Sequence, residues 1–293
     1  MKYKTGSAFR RALEDRLRGN SLGSGLPLIR LRKLVTFDRL LARLHAASPE
    51  AWVLMGGFAL QLRFGVRSRT TKDLDLLMRD TSLPAWDMLR QAGSTDLGDW
   101  FGFEVGSPQS EPMEDQPGGQ RFSVRSLLDG RSFETFHVDV GSGDPIVEQP
   151  EILETSELLA FAGIAPVPFP TYPLTQQIAE KLHAYTRLHH GIENTRVRDL
   201  VDILLIASQS RLDGRNLAAA IQATFSARST HLLPDRLPNP PSKWESSFRS
   251  SARELGLEWK DLGAATEAAK AFLNPIMAGN IAGRWDPAAW SWS

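Results

Sequence analysis

The 293-residue sequence has no cysteine, no long apolar run and no net charge. Without cysteine, disulfide staples and thiolate-held zinc are excluded. No run reaches the ~20 apolar residues that a membrane-spanning helix needs. Met1-Lys2-Tyr3-Lys4 leads into a charged segment and not into the apolar stretch of a signal peptide. The expectation is a soluble, cytoplasmic chain without a membrane partner. What is present is hydrophobic mass, 42% of residues, enough for one large or two modest cores.

The zero balance hides an uneven distribution. Residues 1–46 carry many arginines and lysines against only Glu14, Asp15 and Asp38, whereas residues 81–157 are acid-rich. A basic arm beside an acidic body can touch a polyanion. The same pattern also fits a solvated helix face laced with ion pairs.

Periodicity orders the chain. Helical spacing marks 7–18 and 27–46, separated by the Gly/Ser-rich break "GNSLGSG" at 19–25. Trp52–Met55 reads as a short buried strand, Gly56–Phe64 as a short helix and Leu74–Met78 as a second strand. A helix is expected over 83–92 and strands over 100–105, 121–128 and 135–140. From 174 the spacing is helical, over 174–190, 196–209, 213–225, 243–255 and 263–277, with a Pro-rich surface loop at 232–244. This order predicts an α+β fold: N-terminal helices and a mixed sheet with flanking helices over 1–165, then a helical domain over 166–293.

The chemistry concentrates in "MGGFALQLRFGVRSRTTKDLDLLM", residues 55–78. Strand residues i and i+2 share a face about 6.8 Å apart, so Asp73 and Asp75 point the same way. Two like charges so close raise a pKa unless a cation sits between them. Oxygen-only ligands suit Mg²⁺ or Mn²⁺. Asp139, in the alternating "ETFHVDV" stretch, offers a third carboxylate if its strand lies beside the first. Three such carboxylates are what two-metal phosphoryl or nucleotidyl transfer needs. Gly56-Gly57, between strand and helix, lets backbone N–H groups approach phosphates, and Arg69, near Thr71, can add a charge-assisted contact. Singly, a Gly-Gly turn, an Asp-x-Asp pair or Asp139 is most often structural. Their conjunction carries the mechanism.

With these motifs the sequence resembles the AbiEii/AbiGii nucleotidyltransferase toxins, including the MenT toxins, of the DNA-polymerase-β-like nucleotidyltransferase superfamily. "MGGFAL" and "RTTKDLDLLM" match the superfamily signature across a fifteen-residue spacer, 58–72. Gly57 stands where many members have serine, so backbone contacts must replace a hydroxyl. "FHVDVGSGD", "EKLHAYTR" and "RVRDLVDILLI" resemble the later motifs, and the match spans about residues 1–210.

The resemblance implies that Asp73 and Asp75 bind metal and that Lys181 and an aspartate of the 198–202 motif are required. Asp199 is favoured over Asp202, and the role of Asp139 is less defined. It further implies transfer of a nucleoside monophosphate from an NTP to RNA, at the tRNA 3′ end. Pyrophosphate would then be held by Gly56, Gly57, Arg69 and Lys181, with Thr71 lining the NTP site. The implied partner is a cognate antitoxin, often a transcriptional regulator. The alternatives are nucleotidylylation of a protein hydroxyl and a nucleotide-binding regulatory module that transfers nothing.

Read from the residues alone, Lys181 lies at the edge of a core stripe, where a lysine also simply snorkels. Asp199 and Asp202 share one face of a nearly all-apolar helix, so each needs a partner, with Arg196, Arg198, Lys181 and His183 as candidates. His189-His190 is expected to end a helix. The terminal tryptophans Trp285, Trp290 and Trp292 stack on bases or dock the tail onto the body. Basic residues of the first two helices, among them Arg10, Arg11, Arg32 and Lys33, are candidate RNA-backbone contacts.

Overall fold

A computed structural model describes residues 1–109, 119–187, 196–280 and 283–293. The chain divides into two units. The first comprises Met1–Arg63, Thr70–Gly143 and Glu151–Thr171, and the second Phe64–Arg69, Asp144–Pro150 and Tyr172–Ser293.

In the first unit, helix α1 (Gly6–Ser24) begins where the Thr5 hydroxyl accepts from the Ala8 N–H. Its buried stripe is Phe9, Leu13 and Leu17, four residues apart. It does not break at residue 19 but runs on to Gly25, whose φ of 72° ends it. The serines that suggested a break hold the last turn instead: Ser24 Oγ donates to the Asn20 carbonyl and Ser21 Oγ to the Leu26 carbonyl. Helix α2 (Leu28–Ala47) follows, then β1 (Trp52–Met55), α3 (Gly56–Phe64), β2 (Leu74–Met78) and α4 (Ala85–Ser94). Next come β3 (Phe101–Pro108), β4 (Gln120–Leu128), β5 (Arg131–Ser142), β6 (Glu151–Glu154) and β7 (Pro168–Thr171).

These strands form one mixed sheet in the order β3-β4-β5-β2-β1-β7-β6. β2 pairs parallel with β5, and β1 parallel with β7; the other neighbours are antiparallel. Phe37 of α2 anchors the core, with its ring 5.1 Å from Phe58 and 5.0 Å from Phe136. The sequence pattern misses β6 and β7, because Pro168 and Pro170 argue against a strand. β7 tolerates them since it meets β1 through a single register pair, Leu54↔Thr171.

Several residues of the basic arm are paired inside this unit. Arg10 donates to the carbonyls of Leu128, Arg131 and Ser132. Arg32 grips Glu14, and Lys33 donates to the Thr135 carbonyl. Lys2, Lys4, Arg11, Arg16 and Arg18 stay exposed. Deeper in α2, fully buried Arg43 donates to Asp99 at 2.6 and 3.0 Å and to the Phe101 carbonyl at 2.7 Å. Arg39 bridges Asp38 and the same Asp99. This network ties α2 to the start of β3.

The second unit is mainly helical: α5 (Leu174–Thr186), α6 (Val197–Gln209), α7 (Gly214–Arg228), α8 (Glu245–Leu255) and α9 (Leu262–Met277). The sequence pattern misses a three-stranded sheet of β8 (Leu212–Asp213), β9 (Arg284–Asp286) and β10 (Ser291–Trp292), in the order β10-β9-β8. Such strands are too short to show periodicity. They seat the terminal tryptophans, whose indole N–H groups cap helix carbonyls: Trp285 to Ala207, Trp290 to Ala268 and Trp292 to Phe272. These rings dock the tail. No helix among the described residues is long and apolar enough to cross a membrane.

Replacing Asp99 by alanine removes the carboxylate from the buried Arg43 guanidinium, while Arg39 keeps Asp38. It is expected to destabilise the chain by about 3–5 kcal/mol, read as a fall in the urea midpoint.

Candidate active site

The glycine turn and the Asp-x-Asp strand meet because β1 and β2 pair antiparallel with Met55 opposite Asp75. The residue after Met55 therefore lies against the Asp75 side chain. It is Gly56, with φ of 67°, and a Cβ there would stand 2.0 Å from Asp75 Oδ2. Only glycine fits, on conformational and steric grounds together. Gly57 is buried in the first turn of α3.

The next neighbours follow from register. β2 and β5 place Asp75 beside Asp139, and β5 and β4 place Asp139 opposite Arg121. Asp75, Asp139 and Arg121 thus form one rung across three strands. Arg121 holds Asp139 in a two-pronged pair, Nε to Oδ1 at 2.7 Å and Nη2 to Oδ2 at 2.6 Å. The same Nη2 lies 3.9 Å from Asp73 Oδ2. The guanidinium is held above its ordinary pKa, first by the hydrogen bond to Asp139 and also by the charges of Asp73 and Asp75. Asp73, just before β2, is half-buried, and its Oδ1 lies 3.5 Å from His137 Nδ1. Thr71 is buried and donates its hydroxyl to the Asp73 carbonyl, so it shapes this turn.

Asp139, the carboxylate expected as a third metal ligand, is paired with Arg121 through both of its oxygens. Among the described residues, no group of three His, Asp or Glu side chains is arranged to hold a metal ion. The hard-oxygen pair Asp73 and Asp75 still fits Mg²⁺ or Mn²⁺, which commonly use one or two carboxylates and take further ligands from substrate phosphates. Sequence reasoning passed over Arg121. It opens a predicted strand, and nothing local reveals which residue it faces.

In the second unit, α5 and α6 build a buried charge cluster. Lys181 Nζ lies 2.6 Å from Asp202 Oδ2 and 3.5 Å from Asp199 Oδ1. Arg69 Nε reaches both Asp202 oxygens at 3.1–3.2 Å. Arg196 stands 3.7 Å from Asp199. Burial opposes charge on Asp202, but Lys181 and Arg69 outweigh it and hold its pKa below the usual carboxylate range. Burial likewise opposes charge on Lys181, and Asp202 and Asp199 outweigh it, holding the ammonium above its ordinary value. Asp202 is fully enclosed, whereas Asp199 keeps 11% of its side chain exposed. His183 is structural: buried beside Phe225 and bonded to Thr230, it is pushed down to about 3 by burial first and by nearby cations. His189-His190 lies outside the described residues.

Two outcomes follow. Gly56→Ala is expected to cost at least about 1–2 kcal/mol from the left-handed backbone alone. The cost should shrink in an Asp75→Ala background, and a double-mutant cycle in urea reads that coupling. Asp202, with its depressed folded pKa, contributes stability that is present above its unfolded value near 3.9 and lost as pH falls through the lower folded value. Asp202→Asn should therefore flatten that acid limb and cost about 3–5 kcal/mol at neutral pH by stranding Lys181, as urea midpoints between pH 2 and 7 would show.

Comparison with known proteins bears on this arrangement. The family described as nucleotidyl transferase AbiEii toxin, type IV toxin–antitoxin system, matches residues 39–288. No curated protein matches the sequence. Among solved structures, the chain is similar to MenT4, a nucleotidyltransferase toxin of Mycobacterium tuberculosis H37Rv. The TM-score is 0.53 at 18% identity, covering 92% of this chain and 99% of that one. It also aligns with JHP933 of Helicobacter pylori, with a TM-score of 0.44 at 15% identity, covering 85% of this chain and 93% of that one. The MenT4 likeness shows a shared fold, and the family match spans both units, so the chain belongs to the AbiEii nucleotidyl transferase toxins of type IV toxin–antitoxin systems.

Proposed function

We propose that the chain is a metal-dependent nucleotidyltransferase that moves a nucleoside monophosphate from an NTP to RNA, at the tRNA 3′ end, in the cytoplasm. The observation that carries this reading is the contact between Gly56 and Asp75, which joins the phosphate-approach turn and the carboxylate pair. In the reaction, a hydroxyl oxygen of the RNA end bonds to the α-phosphorus. The bond from that phosphorus to the β-phosphate bridging oxygen breaks, pyrophosphate leaves, and the hydroxyl proton passes to solvent.

Asp73 and Asp75 are the proposed cation ligands. Mg²⁺ or Mn²⁺ held there would supply charge neutralisation at the triphosphate and lower the pKa of the attacking hydroxyl. The N–H groups of Gly56 and Gly57 opening α3 receive phosphate oxygens. Lys181 and Asp199 are the proposed further residues required for activity. Asp199 is preferred to Asp202 because its ion pairs are long and its carboxylate is partly exposed, while Asp202 is enclosed by two cations. Family membership implies a cognate antitoxin, and we assign it to the transcriptional-regulator class. A modified acceptor end could not be aminoacylated, which would arrest translation.

Incubation with labelled NTPs, Mg²⁺, total RNA and cell lysate tests the reading. Label is expected on small RNA, and Asp75→Ala should lower it by on the order of 10²-fold or more. Label on protein would point to a protein hydroxyl as acceptor, and NTP binding without label to a regulatory module. RNA labelling that survives Asp75→Ala would overturn the site.

A further inference from the structure

We propose that Arg121 is a built-in counter-cation that occupies Asp139 and limits this carboxylate cluster to a single divalent cation, on Asp73 and Asp75. The inference rests on the reading of that pair as cation ligands. It comes from the register: Arg121 stands opposite Asp139 across β4 and β5, while Asp139 stands beside Asp75 across β5 and β2. The planar guanidinium engages both Asp139 oxygens at 2.6–2.7 Å. This fork-to-fork pairing takes one lone pair of each oxygen and fixes a positive charge beside Asp139, so a second cation there would meet that charge directly.

Formal charge agrees. Asp73, Asp75, Asp139 and Arg121 by themselves sum to two negative charges, which one divalent cation neutralises. A second divalent cation would add to a positive charge already fixed within 3.9 Å of Asp73. A purely structural pin is the competing role, since Arg121 also links neighbouring strands. Those strands already pair along most of their length, from Gln120↔Val140 to Leu128↔Arg131. The guanidinium also leans towards Asp73 on another segment, and the Arg121 side chain stays 36% exposed on the carboxylate face. A pin would not change how many cations bind.

The test is a Mn²⁺ titration by electron paramagnetic resonance and calorimetry, with the α,β-methylene analogue of an NTP present. Wild type should bind one Mn²⁺ per chain, and D139N should keep that binding within about threefold. R121Q, which frees Asp139, should admit a second Mn²⁺ or tighten the first by about tenfold or more. R121Q/D139N should return to one ion of wild-type affinity. R121K keeps the charge without the fork, so it should fall between wild type and R121Q. It serves as the test if R121Q does not fold by circular dichroism. Two Mn²⁺ in wild type with one lost in D139N would overturn the proposal. So would a folded R121Q, or R121K in its place, that titrates like wild type. No Mn²⁺ binding sensitive to D73N or D75N would instead overturn the reading of the site itself.

Discussion

Like-charge repulsion on one face of a sheet is the constraint on which the first unit depends. Asp75 and Asp139 lie side by side on parallel strands, and Asp73 is one short step along. Carboxylates so placed are tolerated only where positive charge meets them. Arg121 supplies it from the next strand, and its raised pKa reflects that attraction. The rung therefore explains several residues at once. Gly56 must lack a side chain because Asp75 fills that space, and β4 must pair with β5 in the register that brings Arg121 opposite Asp139.

The second unit meets the same difficulty with another device. Asp199 and Asp202 face inward from α6, whose middle is otherwise apolar. There Lys181, Arg69 and Arg196 supply the positive charge, and the shifts of Asp202 and Lys181 run in the directions that strengthen the pair. The two aspartates are not equivalent. Asp202 accepts hydrogen bonds on both oxygens, the shortest from Lys181 at 2.6 Å, while Asp199 is held at longer range.

Much of the local structure is legible in the sequence. The bounds of β1, α3 and β2 follow from an apolar run, a double glycine and an alternating pattern, all of which act within a few residues. The helices of the second unit follow from their 3.6-residue stripes. The misread elements are those whose local signals conflict with their surroundings. Prolines disguise β7, serines disguise the last turn of α1, and two- or three-residue strands leave no period for β8 to β10. The excess of basic residues in 1–46 reads as a polyanion-binding arm, yet Arg10, Arg32, Lys33, Arg39 and Arg43 find acceptors far along the chain or on adjacent helices.

By itself, the sequence determined where the candidate residues fall: Gly56, Asp73, Asp75 and Lys181 stand in motifs whose spacing acts through one strand or one helix turn. Only the tertiary structure decided whom they face. That Asp139 is gripped by Arg121, that Arg69 serves Asp202, and that Gly56 is closed off by Asp75 are consequences of strand register and helix packing. The physical reason is range. Backbone periodicity orients a side chain within its own element, but its partner comes from an element tens of residues away, chosen by how apolar faces pack.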